Sequence, residues 1–256
     1  VRFAKWHALG NSYVVVERTE AGGPLEPGRV RRLCDVDTGI GSDGVLEVVH
    51  RDGTHAEVVV WNPDGTVAEM SGNGVRIAAR WLGELTGENE VVVVTGGREV
   101  AARLLGSDDA ETDVGVVTVG APEWLDVLGE HVELTPVSVG NPHAVVRRDD
   151  ATRGDLVRLG PAIETHPRFP HRTNVQLVEP VGPNELRVLV WERGAGETAS
   201  SGSSATAAAA VAVARDWCVS PVTAHLPGGD LVVTLAGDHA TVLGPAAEIC
   251  RGETTL

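Results

Sequence analysis

Cysteine is scarce in this 256-residue chain, positive charge is outnumbered, and long hydrophobic runs are missing. The three cysteines, Cys34, Cys218 and Cys250, form no CxxC pair and show no metal-ligand spacing. A disulfide scaffold and a cysteine-held metal are thereby excluded, and reduced thiols in a cytoplasmic protein are the expectation. Lysine and arginine number 21 against 36 acidic residues, a formal charge of −15. A polyanion would be repelled, so neither nucleic acid nor an anionic membrane is expected as a partner; a locally positive pocket can still take a small anion. The alanine-valine stretch 205–214 is too short to span a bilayer, and no N-terminal signal pattern is visible. No nucleotide-binding glycine pattern follows a strand in the required context, no lysine sits in a pyridoxal-like setting, and no His/Cys/Asp/Glu cluster suggests a metal. No cofactor and no metal are expected.

What is present is a repeat. At an offset of 130 residues, Gly10-Asn11-Ser12-Tyr13-Val14-Val15-Val16 aligns with Gly140-Asn141-Pro142-His143-Ala144-Val145-Val146, and Val58-Val59-Val60-Trp61 with Val188-Leu189-Val190-Trp191. In the same register Ser71-Gly72-Asn73-Gly74 meets Ser201-Gly202-Ser203-Ser204, and Ala78-Ala79 meets Ala208-Ala209. Four matches in one register point to two related halves. The boundary falls near Ala121-Pro122, and we divide the chain as 1–118 and 119–256. Valine-rich runs bounded by Gly, Pro and Asp predict strands at 13–17, 45–49, 56–61 and 91–95, then at 144–147, 175–178, 186–191 and 231–235. One long helix is predicted per half, at 72–85 and 202–216. The second is small and apolar around its middle, so it must be buried on all sides. Each half therefore reads as α+β, a mostly antiparallel sheet or barrel wrapped around a central buried helix.

Both predicted helices begin with a serine followed by glycine. Free N–H groups and the macrodipole make a helix N-terminus an anion site. If the halves face each other about a pseudo-dyad, both helix ends point at one carboxylate, with Ser71 and Ser201 on opposite sides of the carbon that bears it. That arrangement suits removal of a proton from one face and delivery to the other. Ser71 and Ser201 can equally be plain helix N-caps.

The opening Phe3-Ala4-Lys5-Trp6-His7-Ala8-Leu9-Gly10-Asn11 resembles that of diaminopimelate epimerases. Gly39-Ile40-Gly41-Ser42-Asp43-Gly44, Asn62-Pro63-Asp64-Gly65, Gly140-Asn141-Pro142-His143 and Glu192-Arg193-Gly194-Ala195-Gly196-Glu197-Thr198 follow the family's motifs in order. The resemblance implies two pseudo-symmetric halves with the active site in the cleft between them, a cofactor-independent epimerase that interconverts LL- and meso-2,6-diaminopimelate by two-face proton transfer at the α-carbon, and a homodimer. It implies further that Asn11, Asn62, Asn141, Asn174 and Arg193 hold the substrate, mainly its distal end, and that Gly72, Asn73, Gly202 and Ser203 grip the reacting α-carboxylate. Glu192 and His143 would assist the two proton-transfer groups, and Gly44 stands where some members carry a side chain that touches substrate.

The family's two proton-transfer residues are cysteines, and the matching positions here are Ser71 and Ser201. A thiol ionises near pH 8.5 and lower beside a helix N-terminus, whereas a serine hydroxyl needs a neighbouring base. Three readings stay open: a serine epimerase assisted by Glu192 and His143, a Cys-to-Ser form that holds substrate without turnover, and a paralogue that binds an amino acid or racemises a different one. Tyr13, where the family usually has Phe, reads as a neutral exchange.

Overall fold

The computed structural model describes residues 1–68 and 70–255. Its contacts divide the chain into two compact units, Val1–Asp113 with Leu243–Leu256, and Val114–Val242. The division of the sequence at 118/119 assigned the C-terminal segment to the second half. Here that segment belongs to the first unit, because its last strand pairs antiparallel with the first strand of the chain, Arg2 opposite Glu253 and His7 opposite Ala247.

In the first stretch of chain the elements run β1 (Arg2–Ala8), β2 (Asn11–Glu17), α1 (Pro27–Cys34), β3 (Val45–Asp52), β4 (His55–Trp61), β5 (Val67–Ala68), α2 (Gly72–Thr86), β6 (Glu90–Thr95), β7 (Arg98–Leu105) and β8 (Asp109–Val116). There follow β9 (Thr118–Val119), β10 (Glu123–Val127), β11 (Glu130–Ser138), β12 (Pro142–Arg147), α3 (Arg153–Glu164), β13 (Asn174–Gly182), β14 (Glu185–Glu192) and β15 (Gly196–Thr198). Last come α4 (Gly202–Ala214), β16 (Val222–Leu226), β17 (Gly229–Ala236), β18 (His239–Pro245) and β19 (Ala247–Glu253).

The repeat seen in the sequence is a repeat of topology. Strand β2 pairs parallel with β3, β3 antiparallel with β4, and β4 parallel with β6. In the second unit β12 pairs parallel with β13, β13 antiparallel with β14, and β14 parallel with β16. Strands β1 with β2, β6 with β7, β10 with β11 and β16 with β17 pair antiparallel, so each unit is a mixed, mainly antiparallel α+β fold.

Strand alternation decides what faces what. In β2, Tyr13 and Val15 share a core with Val75, Ile77, Ala78 and Leu82 of α2. The intervening Val14 and Val16 share a different core with Val30, Leu33 and Cys34 of α1. In β12 and β13, Ala144, Val146, Val175 and Leu177 pack on Leu156, Leu159 and Ile163 of α3. The predicted buried helix is α4, in which Ala205, Ala207, Ala208, Ala209, Val211 and Ala212 have no exposed surface. The short helices α1 and α3 escaped the sequence reading. Pro27 in the first turn of α1, and Gly154, Gly160 and Pro161 within α3, disguise both.

Candidate functional site

Helices α2 and α4 are capped alike. Ser71 is the N-cap of α2 in extended backbone geometry, and its Oγ accepts the Gly74 N–H at 3.0 Å. Ser201 caps α4 with nearly the same backbone angles, its Oγ accepting the Ser204 N–H at 3.5 Å. Both serines therefore do act as caps, and the amides of each first turn remain aimed out of the helix end.

The surroundings of the two hydroxyls differ. In the first unit, the buried Tyr13 donates its phenolic O–H to Ser71 Oγ at 3.1 Å. The Asn73 amide donates to Asn11 Oδ1 at 3.2 Å and its own oxygen accepts Arg76 Nη2 at 2.6 Å. Arg76 has no exposed surface, and among the described residues no carboxylate pairs with it; its Nε has no partner either. Burial pushes its pKa down from the ordinary arginine range to about 10. Gly44 lies beneath the Tyr13 ring: a Cβ there would stand 2.6 Å from Tyr13 Cε1 and 2.5 Å from the Trp61 carbonyl oxygen. Asn62 is engaged locally, its Nδ2 donating to Thr66 Oγ1 at 2.9 Å in the turn after β4.

In the second unit, Ser201 is buried, with Ser203 Oγ at 3.4 Å and the Glu192 carboxyl close enough for the hydroxyl to influence its ionisation. Burial raises the Glu192 pKa from its ordinary value, and the nearby Ser201 hydroxyl partly opposes the shift. His143 Nε2 lies 2.9 Å from Asn141 Oδ1, while Nδ1 lies 3.0 Å from Gln176 Nε2, which also donates to Ser204 Oγ at 3.0 Å. An acceptor on one side and a donor on the other place the ring proton on Nε2. Burial drives the His143 pKa down to about 3, so the imidazole is neutral. Asn174 donates to the Pro142 carbonyl and accepts the Arg193 N–H, both at 2.9 Å, which orients the loop that carries the exposed Arg193.

Within the first unit the structure thus brings together Asn11, Ser71, Gly72 and Asn73. In the second it joins Asn141 with His143, Asn174 with Arg193, and Glu192 with Ser201 and Ser203. Sequence reasoning did not single out Tyr13, Arg76, Gln176 or Ser204 as site residues. One signal was available, since Tyr13 aligns with His143 at the repeat offset. The three thiols stand apart from both helix entries: Cys34 ends α1, Cys218 follows α4 and Cys250 lies in β19. Among the described residues no group of His, Cys, Asp and Glu could hold a metal ion, and no helix is long and apolar enough to cross a membrane.

A family model described as diaminopimelate epimerase matches residues 3–125 and 135–248. The diaminopimelate epimerase of Alkalilimnicola ehrlichii is 37% identical over 100% of this chain and 99% of its own. That of Desulfitobacterium hafniense is 36% identical over 98% and 97%. The chain belongs to the diaminopimelate epimerase family. Solved structures share the fold: a predicted epimerase from Pseudomonas aeruginosa has a TM-score of 0.75 at 18% identity, covering 100% of this chain and 99% of that one. A hydroxyproline epimerase from Agrobacterium vitis has a TM-score of 0.71, also at 18% identity, covering 98% and 91%. Against this diaminopimelate epimerase background, the Ser71–Tyr13 and Ser201–Glu192 pairs are the features that chemistry must account for.

Proposed function

We propose that this protein interconverts LL- and meso-2,6-diaminopimelate by moving the proton on the α-carbon, without a cofactor. Inversion at a carbon bearing a carboxylate needs a base for one face and an acid for the other, and the two capping serines, Ser71 and Ser201, are the candidates. In one direction Ser201 Oγ takes the α-proton while its own proton passes to Glu192, which burial makes a stronger base than an ordinary carboxylate. The electron pair left on carbon spreads into the carboxylate, which the helix-entry amides at Gly72, Asn73, Gly202 and Ser203 are suited to hold. Ser71 then gives its hydroxyl proton to the other face. Between turnovers Glu192 loses its proton to water and Ser71 regains one. The neutral His143, with both ring nitrogens already engaged, serves in this scheme to order Asn141 and Gln176. Asn11, Asn62, Asn141, Asn174 and Arg193 would bind the distal amino and carboxylate groups, with Gly44 contributing backbone alone.

The observation that carries this reading is full-length membership of the family together with two equivalent helix entries, each bearing a hydroxyl with a polar partner. The reading also carries a cytoplasmic setting and a homodimer, which sedimentation checks. The decisive measurement is deuterium incorporation at the α-carbon of LL-diaminopimelate in heavy water, with lysine and other amino acids alongside. Incorporation confined to diaminopimelate is expected. Tight binding without incorporation would leave a binding protein, and incorporation into another amino acid alone would replace the substrate.

A further inference from the structure

Three features of the first unit converge on the Ser71 oxygen. Tyr13, the chain's only tyrosine, is 7% exposed and donates to that oxygen at 3.1 Å. The Gly74 N–H donates to it as well, at 3.0 Å. A serine oxygen has two lone pairs and one proton, so with both lone pairs accepting, the Ser71 proton must point away from these two donors. If that proton leaves, the negative oxygen remains between two donors already in place, the arrangement that stabilises an oxyanion without reorganisation. Ser201 has a different environment, with the Ser204 N–H and Ser203 Oγ at 3.5 and 3.4 Å and the carboxyl of Glu192 nearby.

The sequence repeat supports a role for this position. Tyr13 is the counterpart of His143 at the offset of 130, and the alternation of β2 and of β12 turns both toward the helix that a capping serine opens. The loop before β3 leaves the room required, because any side chain at Gly44 would strike the Tyr13 ring.

On the reading that Ser71 transfers a proton, we propose that Tyr13 is a catalytic residue, holding the Ser71 alkoxide through its phenolic O–H. When Ser71 acts as acid, its O–H bond breaks as the C–H bond forms, and the electron pair left on Oγ is shared with the Tyr13 O–H and the Gly74 N–H. In the reverse direction that alkoxide takes the α-proton. Tyr13 keeps its own proton throughout. The serine at position 71 and the tyrosine at position 13 then form one working unit, in which the hydroxyl donor makes up for the weak acidity of serine.

The test is Tyr13→Phe, alone and with Ser71→Cys, read as α-deuterium exchange of diaminopimelate, with thermal melting as a check on folding. In the serine protein, Tyr13→Phe should lower kcat about a hundredfold, the usual effect of removing one oxyanion donor, with KM changed by less than about threefold. In the Ser71→Cys protein the same change should cost far less, because sulfur is a poor acceptor and a thiol ionises unaided. Equal losses in both backgrounds, or a loss confined to KM, would make Tyr13 a packing residue. An unchanged kcat in the serine protein overturns the proposal and leaves the epimerase reading standing. Absence of exchange in the unaltered protein overturns both.

Discussion

Replacing Arg76 by methionine should leave the protein as stable as before or more so, while weakening its hold on substrate. The folded-state pKa of about 10 lies below that of an ordinary arginine, so between the two the unfolded chain binds the proton more tightly. Stability therefore rises with pH through that window, and at neutral pH the buried charge costs about 3 kcal/mol at about 1.4 kcal/mol per pKa unit. Methionine removes that cost and keeps most of the volume, but forfeits the hydrogen bond to Asn73, about 1.5–3 kcal/mol for a charged donor. The balance is a gain of about 0–1.5 kcal/mol, seen as an unchanged or higher urea midpoint with the same m-value. Function should move the other way. The guanidinium fixes the oxygen end of the Asn73 amide, which turns the nitrogen end onto Asn11 Oδ1. Without the guanidinium to fix the Asn73 oxygen, KM for diaminopimelate should rise at least about tenfold. A variant destabilised by more than about 2 kcal/mol would show that the guanidinium holds the fold, and one with unaltered KM would show that the amides are oriented by something else.

Glu192→Gln should slow α-proton exchange by about a hundredfold or more. In the unaltered protein kcat/KM should fall as pH drops through a value above that of an ordinary glutamate, because burial raises this group, and the variant should lack that limb. His143, with its pKa lowered to about 3, should show no imidazole titration between pH 5 and 8 by NMR. The same depression means that the unfolded chain takes up a proton near pH 6.5 that the folded chain refuses. Stability should therefore decline as pH falls from about 6.5 toward 3, and His143→Gln should flatten part of that decline in acid denaturation.

The sequence made the repeat legible because equal topology demands equal spacing of its hydrophobic strands and glycine turns. It made α4 legible because a helix without a polar face has nowhere to go but inside. Two kinds of feature stayed hidden. The first is pairing that depends on register. Trp61 and Trp191 align in the repeat and both donate Nε1 to a buried carboxylate, yet Glu47 supplies it from β3 while Glu164 supplies it from the end of α3. No spacing rule links those two acids. The second is chemistry created by a neutral-looking exchange. Tyr13 reads as a hydrophobic strand residue, and only the packing of β2 against α2 shows that its hydroxyl reaches Ser71. Arg76 is similar, since its position on a helix face does not say that no carboxylate among the described residues pairs with it.

The return of the last strand to the first unit has a kinetic consequence. Strand β1 cannot complete its pairing with β19 until everything from β9 onward has been made, so the first unit closes a very long loop. Closure entropy grows only logarithmically with loop length, but contacts this far apart in sequence slow folding. The second unit is one continuous stretch of chain and needs no such wait. On the ribosome it can order first, and in doing so it shortens the path between β8 and β19. The first unit would then be the late and rate-limiting structure, although its residues are the earliest to emerge.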